Sequence, residues 1–393
     1  MIAILVFIIS FLFLLGITIF IPTLPPGEII YNLLEISEIP FSIAGISEFA
    51  LVNGIINGFV WGIIILIIYG LYSYPSKKKV IFPVWVPNYT HSRSSPPKPI
   101  PPKSYVKKGL PNVRKTKRPL ILDGAMGSLL QQKGFESGGA SWMTEVNEKH
   151  PDKIIEIHEQ YIQAGADIIT TNTFRTNPTA FEKSEAVNVS EYVKNAVKLA
   201  KEAVGNSSII IAGSNPPAED CYQTERLINN EILELNHHNH IDLLINNGVD
   251  FILNETFSHL DEITIVCDYC SSKNSPFIIC LLLTDELRLL SGETLEDTLN
   301  VIMEHNPLAI GINCISLEHF EKAFKYMDVN YNWGFYLNCG FDEHHVDEIK
   351  CRISPKNYGE IVKEYLEYQP SFIGACCGST PEHIKTIKRI FDE

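Results

Sequence analysis

The sequence predicts an α/β protein whose main part is a (β/α)8 TIM barrel, preceded by two transmembrane helices. Three observations carry this expectation. From Pro119 to the end, eight short apolar runs alternate with amphipathic stretches, which is the length and rhythm of eight strand–helix units. Near the start, residues 2–21 and 51–74 form two long runs without a charge. Residues 75–118 resemble neither part, holding nine prolines, twelve basic residues and no acid. The expected organisation is a membrane hairpin over 1–74, a basic Pro-rich linker over 75–118 and a barrel over 119–393.

Each apolar run is long enough to cross a hydrocarbon core at the helical rise. The first lacks the basic start, the short apolar stretch and the small-residue cleavage site of a signal peptide, so a membrane helix is the better reading. Between the runs stand Glu28, Glu35, Glu38 and Glu48 with no basic residue, and Lys77, Lys78 and Lys79 follow the second. The positive-inside rule then places both ends of the hairpin, and the barrel, on the cytoplasmic side. The linker cannot build a core; it is expected to be extended and attracted to anionic lipid headgroups. Residues 1–118 contain twelve basic and four acidic residues, against twenty and forty-two in 119–393, so the formal charge is +8 in front and −22 behind. An acidic barrel argues against nucleic acid as a partner.

Within the barrel the expected strands are Leu120–Leu122, Asp167–Thr170, Ile209–Ala212, Phe251–Leu253, Phe277–Leu282, Ala309–Ile312, Gly334–Leu337 and Phe372–Ala375. Helical patterns fill the gaps, as in Pro151–Ala164, which stops at Gly165. The others are Glu185–Val204, Glu231–Asn246, His259–Ser271, Leu295–His305, Leu317–Met327, Lys356–Tyr368 and Pro381–Phe391. An open doubly wound sheet is the alternative, but Asp123–Gly127 after the first strand has the wrong glycine spacing for a dinucleotide loop.

A barrel of this kind carries its active site at the C-terminal ends of its strands. Asp123 follows the first strand, Thr171, Asn172 and Thr173 the second, and Glu255 the fourth; Asn313 and Cys314 follow the sixth, and Cys376 and Cys377 the eighth. Three thiolates converging at a barrel mouth with one open position describe a catalytic zinc site. The bland alternative is three buried small hydrophobes, the usual fate of a single free cysteine. Glu255 directly follows an apolar strand, where a buried carboxylate needs a cation or donor, and a substrate ammonium group would serve. Asp123 has the bland alternative of capping a helix.

All nine cysteines lie at or beyond residue 221, without the spacing of a secreted disulfide framework. The lone CxxC of Cys267 and Cys270 is weak evidence for redox or metal chemistry, and Cys221, Cys280, Cys339 and Cys351 are expected to be structural. His237, His238 and His240 are expected to be solvated, and His158 to lie in the core or on a helix surface.

The stretches ILDGAMGS, GADIITTNTF, VDFILNETF, AIGINC and IGACCGSTPEHI, in this order over residues 119–393, resemble the homocysteine S-methyltransferase family. The resemblance implies that Cys314, Cys376 and Cys377 hold Zn2+, with homocysteine sulfur as fourth ligand. It also implies that Asp123 and Glu255 bind the amino-acid end of homocysteine, assisted by backbone around Gly124 and by the loop of Thr171, Asn172 and Thr173. No catalytic residue beyond the zinc site is implied.

A free thiol is mostly protonated at neutral pH, with a pKa near ~8.5, and a zinc ion deprotonates it. Three thiolates already give the centre a charge of −1, which keeps electron density on the fourth sulfur and draws a cationic donor. The reaction expected is in-line methyl transfer from S-methylmethionine, S-adenosylmethionine or betaine to homocysteine, giving methionine. No folate-binding second barrel or corrinoid domain is read in the chain. The loop from Gly213 to Tyr222 is expected to line the donor side, and the loops after strands three and seven are expected to be short. The alternatives are methylation of another thiol or selenol or use of a corrinoid partner, and a non-enzymatic membrane-anchored metal or amino-acid sensor.

Overall fold

The computed structural model describes residues 2–21, 25–33, 42–43, 46–73, 118–136, 142–181, 188–325, 331–340 and 349–393. The chain divides into two compact units, residues 1–101 and 102–393. The linker expected over 75–118 lies, apart from Arg118, outside the described residues.

In the first unit, two apolar helices, Ile2–Phe20 and Glu48–Ser73, pack along their length, with a short helix Gly27–Leu33 between them. The packing follows from glycines recurring every four residues on the second helix, which lets the backbones approach. A Cβ at Gly54 would come within 2.8 Å of Leu15, and one at Gly58 within 2.7 Å of Phe11. Asn57, buried in this interface, donates to the Thr18 hydroxyl at 3.2 Å. Side chains are described at Phe7 and over 11–20 of the first helix and over 49–65 of the second, and among the described residues no helix is long and apolar enough to cross a membrane. The two expected transmembrane helices are therefore not supported as spans; what forms is a pair of packed apolar helices.

The second unit is the barrel. Its strands are β1 (Leu120–Ile121), β2 (Ile168–Thr170), β3 (Ile210–Asn215), β4 (Phe251–Phe257), β5 (Phe277–Leu281), β6 (Ala309–Asn313), β7 (Trp333–Leu337) and β8 (Phe372–Ala375). All neighbours pair in parallel and in sequence, and β8 returns to β1 with Phe372 opposite Leu120. A parallel bridge between Leu122 and Ile168 closes the ring between β1 and β2. The eight main helices are α1 (Pro151–Ala164), α2 (Val189–Val204), α3 (Asn230–Asn246), α4 (Leu260–Ser272), α5 (Leu295–Met303), α6 (Leu317–Phe324), α7 (Pro355–Tyr365) and α8 (Pro381–Asp392).

Local sequence explains the boundaries. Pro151 opens α1 and Gly165 ends it at φ 108°, a conformation that side chains avoid. Side-chain caps from Asn229, Thr294, Ser316 and Ser354 satisfy the first turns of α3, α5, α6 and α7. Period-two alternation divides the strand residues into two cores. One set, including Leu120, Leu122, Ile168, Leu253, Cys280 and Phe372, fills the barrel interior. The other, including Ile121, Ile169, Ile252, Phe335 and Ile373, meets the apolar faces of the helices. The loop after β3 is not short, running over residues 216–229 before α3, and residues 338–354 separate β7 from α7, of which 341–348 lie outside the described residues.

Candidate functional site

A cavity of about 490 Å³ opens at the C-terminal ends of the strands. Asp123, Gly124, Thr171, Asn172, Glu255, Cys314, Cys376 and Cys377 all line it, whereas Thr173, also expected in the substrate loop, does not: it is fully buried and its hydroxyl donates to Ser214 O at 2.7 Å.

The three thiols are brought together by unusual backbone. Cys314 leaves β6 at φ 54°, and Gly378, after the Cys376–Cys377 pair, sits at φ 81°. A Cβ on Gly378 would lie 2.6 Å from the backbone nitrogen of Gly340, so only glycine fits the turn. The turn is pinned from outside: Cys339 N donates to Cys377 O at 2.7 Å, and Gly378 N donates to Ser128 Oγ at 2.9 Å. As a result the Sγ atoms of Cys314 and Cys377 are 3.5 Å apart, and all three lie within 4.8 Å of one another. Hydrogen bonds from Cys376 and Cys377 hold the Cys314 thiol well below its ordinary pKa. Those two are in turn pushed well above theirs by their contact with Cys314. One thiolate forms readily; three together require a cation.

Glu255 is aimed into the mouth by an irregularity. The register of β4 against β5 shifts between Asn254 and Phe257, and Thr256 takes φ 66°, strained for a β-branched residue. The strain is held by Asn313, which accepts from Thr256 N at 3.0 Å and donates to Thr256 Oγ1 at 2.9 Å. This clamp ties Glu255 and Cys314 together, because each of its members is their immediate neighbour in sequence. Neither was assigned a role from the sequence, although a Thr directly after the acid and an Asn directly before the thiol were visible at strand ends. The Glu255 carboxylate accepts from the Ser214 hydroxyl and, at 3.2 Å, from Tyr336. Burial outweighs these bonds and pushes its pKa up to about 7.

Asp123 is raised well above the ordinary carboxyl range, chiefly by burial and further by the charge of Glu255. Thr170 opposes this, donating to Asp123 from its amide at 2.8 Å and its hydroxyl at 2.9 Å. Gly124 leaves no room for a side chain, since a Cβ would lie 2.7 Å from Ser379 Oγ and from the Tyr161 hydroxyl.

Two expected substrate residues spend their side chains on the scaffold. Thr171 Oγ1 accepts from Ser214 N at 3.1 Å, and the Asn172 amide holds Met143 O and Asn147 at 3.2 and 3.0 Å. They shape the wall through these bonds to the scaffold. Tyr222, in the loop after β3, places its hydroxyl 3.6 Å from Cys314 Sγ. Repulsion from a Cys314 thiolate, then burial, keeps that phenol protonated and able to donate.

The remaining cysteines stay outside the thiol cluster. Cys267 and Cys270 are buried in α4, where burial raises both thiols, so their CxxC is packing. The histidines depart from expectation. His237 and His240 are fully buried, and only His238 is half-exposed, stacked on Tyr269. His237 Nε2 lies 2.8 Å from Glu262, and His240 lies 2.8 Å from both Asn215 Oδ1 and Thr176 Oγ1. Their polar neighbours in sequence hide a face that turns inward. His158 is buried, as one of its two expected placements had it, with a pKa lowered by desolvation to about 4.

A closed (β/α)8 barrel with three thiols and two raised carboxyls around one cavity defines a class: a barrel enzyme that gathers thiols and buried acids at a single mouth. The family model for homocysteine S-methyltransferase matches residues 120–391, and the chain belongs to that family. It is 24% identical over 296 residues to homocysteine S-methyltransferase of Escherichia coli strain K12, a match covering 68% of this chain and 94% of that relative. Homocysteine S-methyltransferase YbgG of Bacillus subtilis strain 168 is also 24% identical, with 68% and 93% covered. Among solved structures, the metallated form of homocysteine methyltransferase MmuM from Escherichia coli superimposes with a TM-score of 0.62 at 23% identity, covering 72% of this chain and 99% of that one. At that identity the likeness speaks for the fold.

Proposed function

We propose that the chain is a zinc-dependent homocysteine S-methyltransferase that takes its methyl group from a small cationic donor and yields methionine. Transfer of a methyl group to homocysteine is the activity of the family to which the chain belongs. The observation that carries the zinc reading is the spacing of the thiols. A tetrahedral ion with metal–sulfur bonds of about 2.3 Å holds its ligands about 3.8 Å apart. The 3.5 Å separation of Cys314 from Cys377, and the 4.8 Å limit for all three, fit such an ion, which these residues would hold beside the cavity they line and which could take a fourth ligand from it. Zinc bound there would supply the positive charge that removes the proton from an incoming thiol at neutral pH.

The chain's own residues do the rest. Glu255 and Asp123 receive the homocysteine ammonium group, which returns both carboxyls to their charged form and offsets their burial. Ser214 and Tyr336 fix the Glu255 carboxylate through its two oxygens. Tyr222 donates toward the Cys314 sulfur, and with Trp142 and Phe174 it gives the wall an aromatic character suited to a sulfonium or quaternary ammonium donor. S-methylmethionine, S-adenosylmethionine and betaine all fit this description. Methylation of another thiol or selenol, or a corrinoid partner, is the second reading within the same chemistry.

The test is zinc content of the full chain and of Cys376→Ala, measured beside methionine formation from homocysteine and S-methylmethionine. About one zinc per chain, lost in the variant together with turnover, is the expected result for a three-thiolate site. A metal-free, active wild type would sink the zinc reading. For location, we infer that the N-terminal unit holds the chain at a membrane, with the barrel on the cytoplasmic side. The charge-free run 2–21 and the basic 77–79 support this. Release of the whole chain into the soluble fraction by mild salt would refute it.

A further inference from the structure

The ionisable groups lining the cavity are acids, thiols and phenols, with one exception. Among the described lining residues, Arg175 is the single lysine or arginine. It follows β2 in the turn after Asn172, with its guanidinium carbon 5.6 Å from the centre of the Phe174 ring. Nη1 donates to the carbonyl of Glu219 at 3.0 Å, and the mostly exposed Asp220 carboxylate stands off at 3.6 Å. The side chain itself is only 17% exposed. Of five N–H donors in a planar fork, the described residues engage one at hydrogen-bond distance. The loop that Arg175 touches is the loop that carries Tyr222 to within 3.6 Å of Cys314 Sγ, so this cation belongs to the reaction chamber.

A cation here opposes everything else the cavity is built to attract. Zinc, a substrate ammonium and a sulfonium donor are all repelled by a guanidinium. Its presence makes sense if the ligand is a zwitterion with a negative end. We propose that Arg175 is the carboxylate anchor of the cavity, gripping the α-carboxylate of an amino-acid substrate through its fork in place of the loose contact with Asp220. The inference rests on the methyl-transfer reading above and adds a specificity element to it. Homocysteine and S-methylmethionine both carry this group, and the pairing is the bidentate, charge-assisted kind that arginine makes and lysine does not. The competing role is mechanical: a clamp on the loop through Glu219 O.

The test compares wild-type full chain with Arg175→Met and Arg175→Lys by titration calorimetry and turnover. The ligands are S-methylmethionine with its carboxamide, and homocysteine with 3-aminopropanethiol, which lacks the carboxylate. Losing a charge-assisted bond should weaken at least one carboxylate ligand by about tenfold or more in Arg175→Met, and its carboxylate-free counterpart by no more than about twofold. The ligand pair that shows this names the source of the carboxylate, and Arg175→Lys should recover part of the loss. Equal losses within each pair establish the clamp and overturn the anchor, as does no loss, or a wild type that binds none of the four. A wild type that binds these ligands without turning them over would defeat the proposed function, while the binding comparison still decides the anchor.

Discussion

Replacing Glu255 by Gln should make the empty barrel more stable and the enzyme worse. Gln keeps the shape and both bonds: its carbonyl can accept from one of the Ser214 and Tyr336 hydroxyls while its amide donates to the other. What disappears is a buried charge. Burial moves the Glu255 carboxyl from an ordinary 4.5 to about 7. At 1.36 kcal/mol per pKa unit, the folded state disfavours the ionised form by about 3 kcal/mol. Below pH 4.5 the carboxyl is protonated in folded and unfolded chains alike, so the wild type loses nothing. As pH rises toward 7 the unfolded chain ionises first, and stability falls until the folded carboxyl ionises as well. Above that the deficit is constant, and Glu255→Gln escapes it. The neighbouring Asp123 adds to the effect, because the Glu255 charge is one of the causes of its raised pKa.

The assay is urea unfolding of the compact unit 102–393, stripped of metal and kept reduced, at pH 4.5 and pH 8. The expected difference between variant and wild type is near zero at the lower pH and about 3 kcal/mol in favour of Gln at the higher. With homocysteine present the order should reverse, because the ammonium stabilises only the carboxylate. A difference that does not change with pH, or a wild type more stable at pH 8 without ligand, would refute the reasoning.

Three further outcomes follow from the geometry. Gly124→Ala forces a Cβ to 2.7 Å from Ser379 Oγ and Tyr161, so it should cost about 1–3 kcal/mol, read as a lowered urea midpoint, and impair homocysteine binding. Glu262→Ala removes the partner of His237, Arg226 and the Ala218 amide from a buried position and should cost about 3–5 kcal/mol. Burial raises the Glu262 carboxyl, but these partners outweigh it and hold it below 4.5, so the stabilisation is present above that pH and is lost on acidification. Faster proteolysis within residues 217–228 would report the freed loop. Tyr222→Phe removes the donor 3.6 Å from Cys314 Sγ and should reduce kcat/KM several-fold, by about 1 kcal/mol, while leaving zinc content unchanged.

The barrel was legible because its signals are local. Eight apolar runs stand where the eight strands form, and Pro151 and Gly165 bound α1 as expected. The site was legible for a related reason: in this fold the C-terminal ends of the strands share one mouth. Cys314 and Cys376, which follow β6 and β8, and Glu255, which β4 carries among its last residues rather than after them, could therefore be gathered without knowing any distance. What was missed depends on contacts distant in sequence. Asn172 has the chemistry of a ligand-binding amide, yet its partners Met143 and Asn147 come from the preceding helical connection. The run Asn236–His240 looks solvated in one dimension, but α3 turns His237 and His240 onto Glu262, Asn215 and Thr176. The apolar runs did form the helices Ile2–Phe20 and Glu48–Ser73, and the glycine face of the second is taken up by the first; apolarity alone did not separate helix pairing from membrane crossing.

The thiols and acids obey one electrostatic logic. Cys376 and Cys377 resist ionisation because Cys314 ionises first, and Asp123 resists it in part because Glu255 does. Each cluster holds more acidic groups than a buried site can charge on its own. Both are therefore unfinished without positive charge from outside, and each ligand of the proposed reaction supplies some: a metal ion for the thiols, an ammonium group for the carboxyls, a sulfonium or quaternary ammonium as donor. Electrostatic attraction of this kind favours binding before transfer. It also favours departure afterwards, because methyl transfer cancels the positive charge of the donor and turns an anionic sulfur into a neutral thioether. Arg175 sharpens the same scheme, since a single cation in the wall of an otherwise anionic chamber orients a zwitterion by drawing its negative end. The stability sacrificed by burying Glu255 is thus recovered when substrate arrives, which is why the most stabilising substitution in the cavity is expected to be among the most damaging to catalysis.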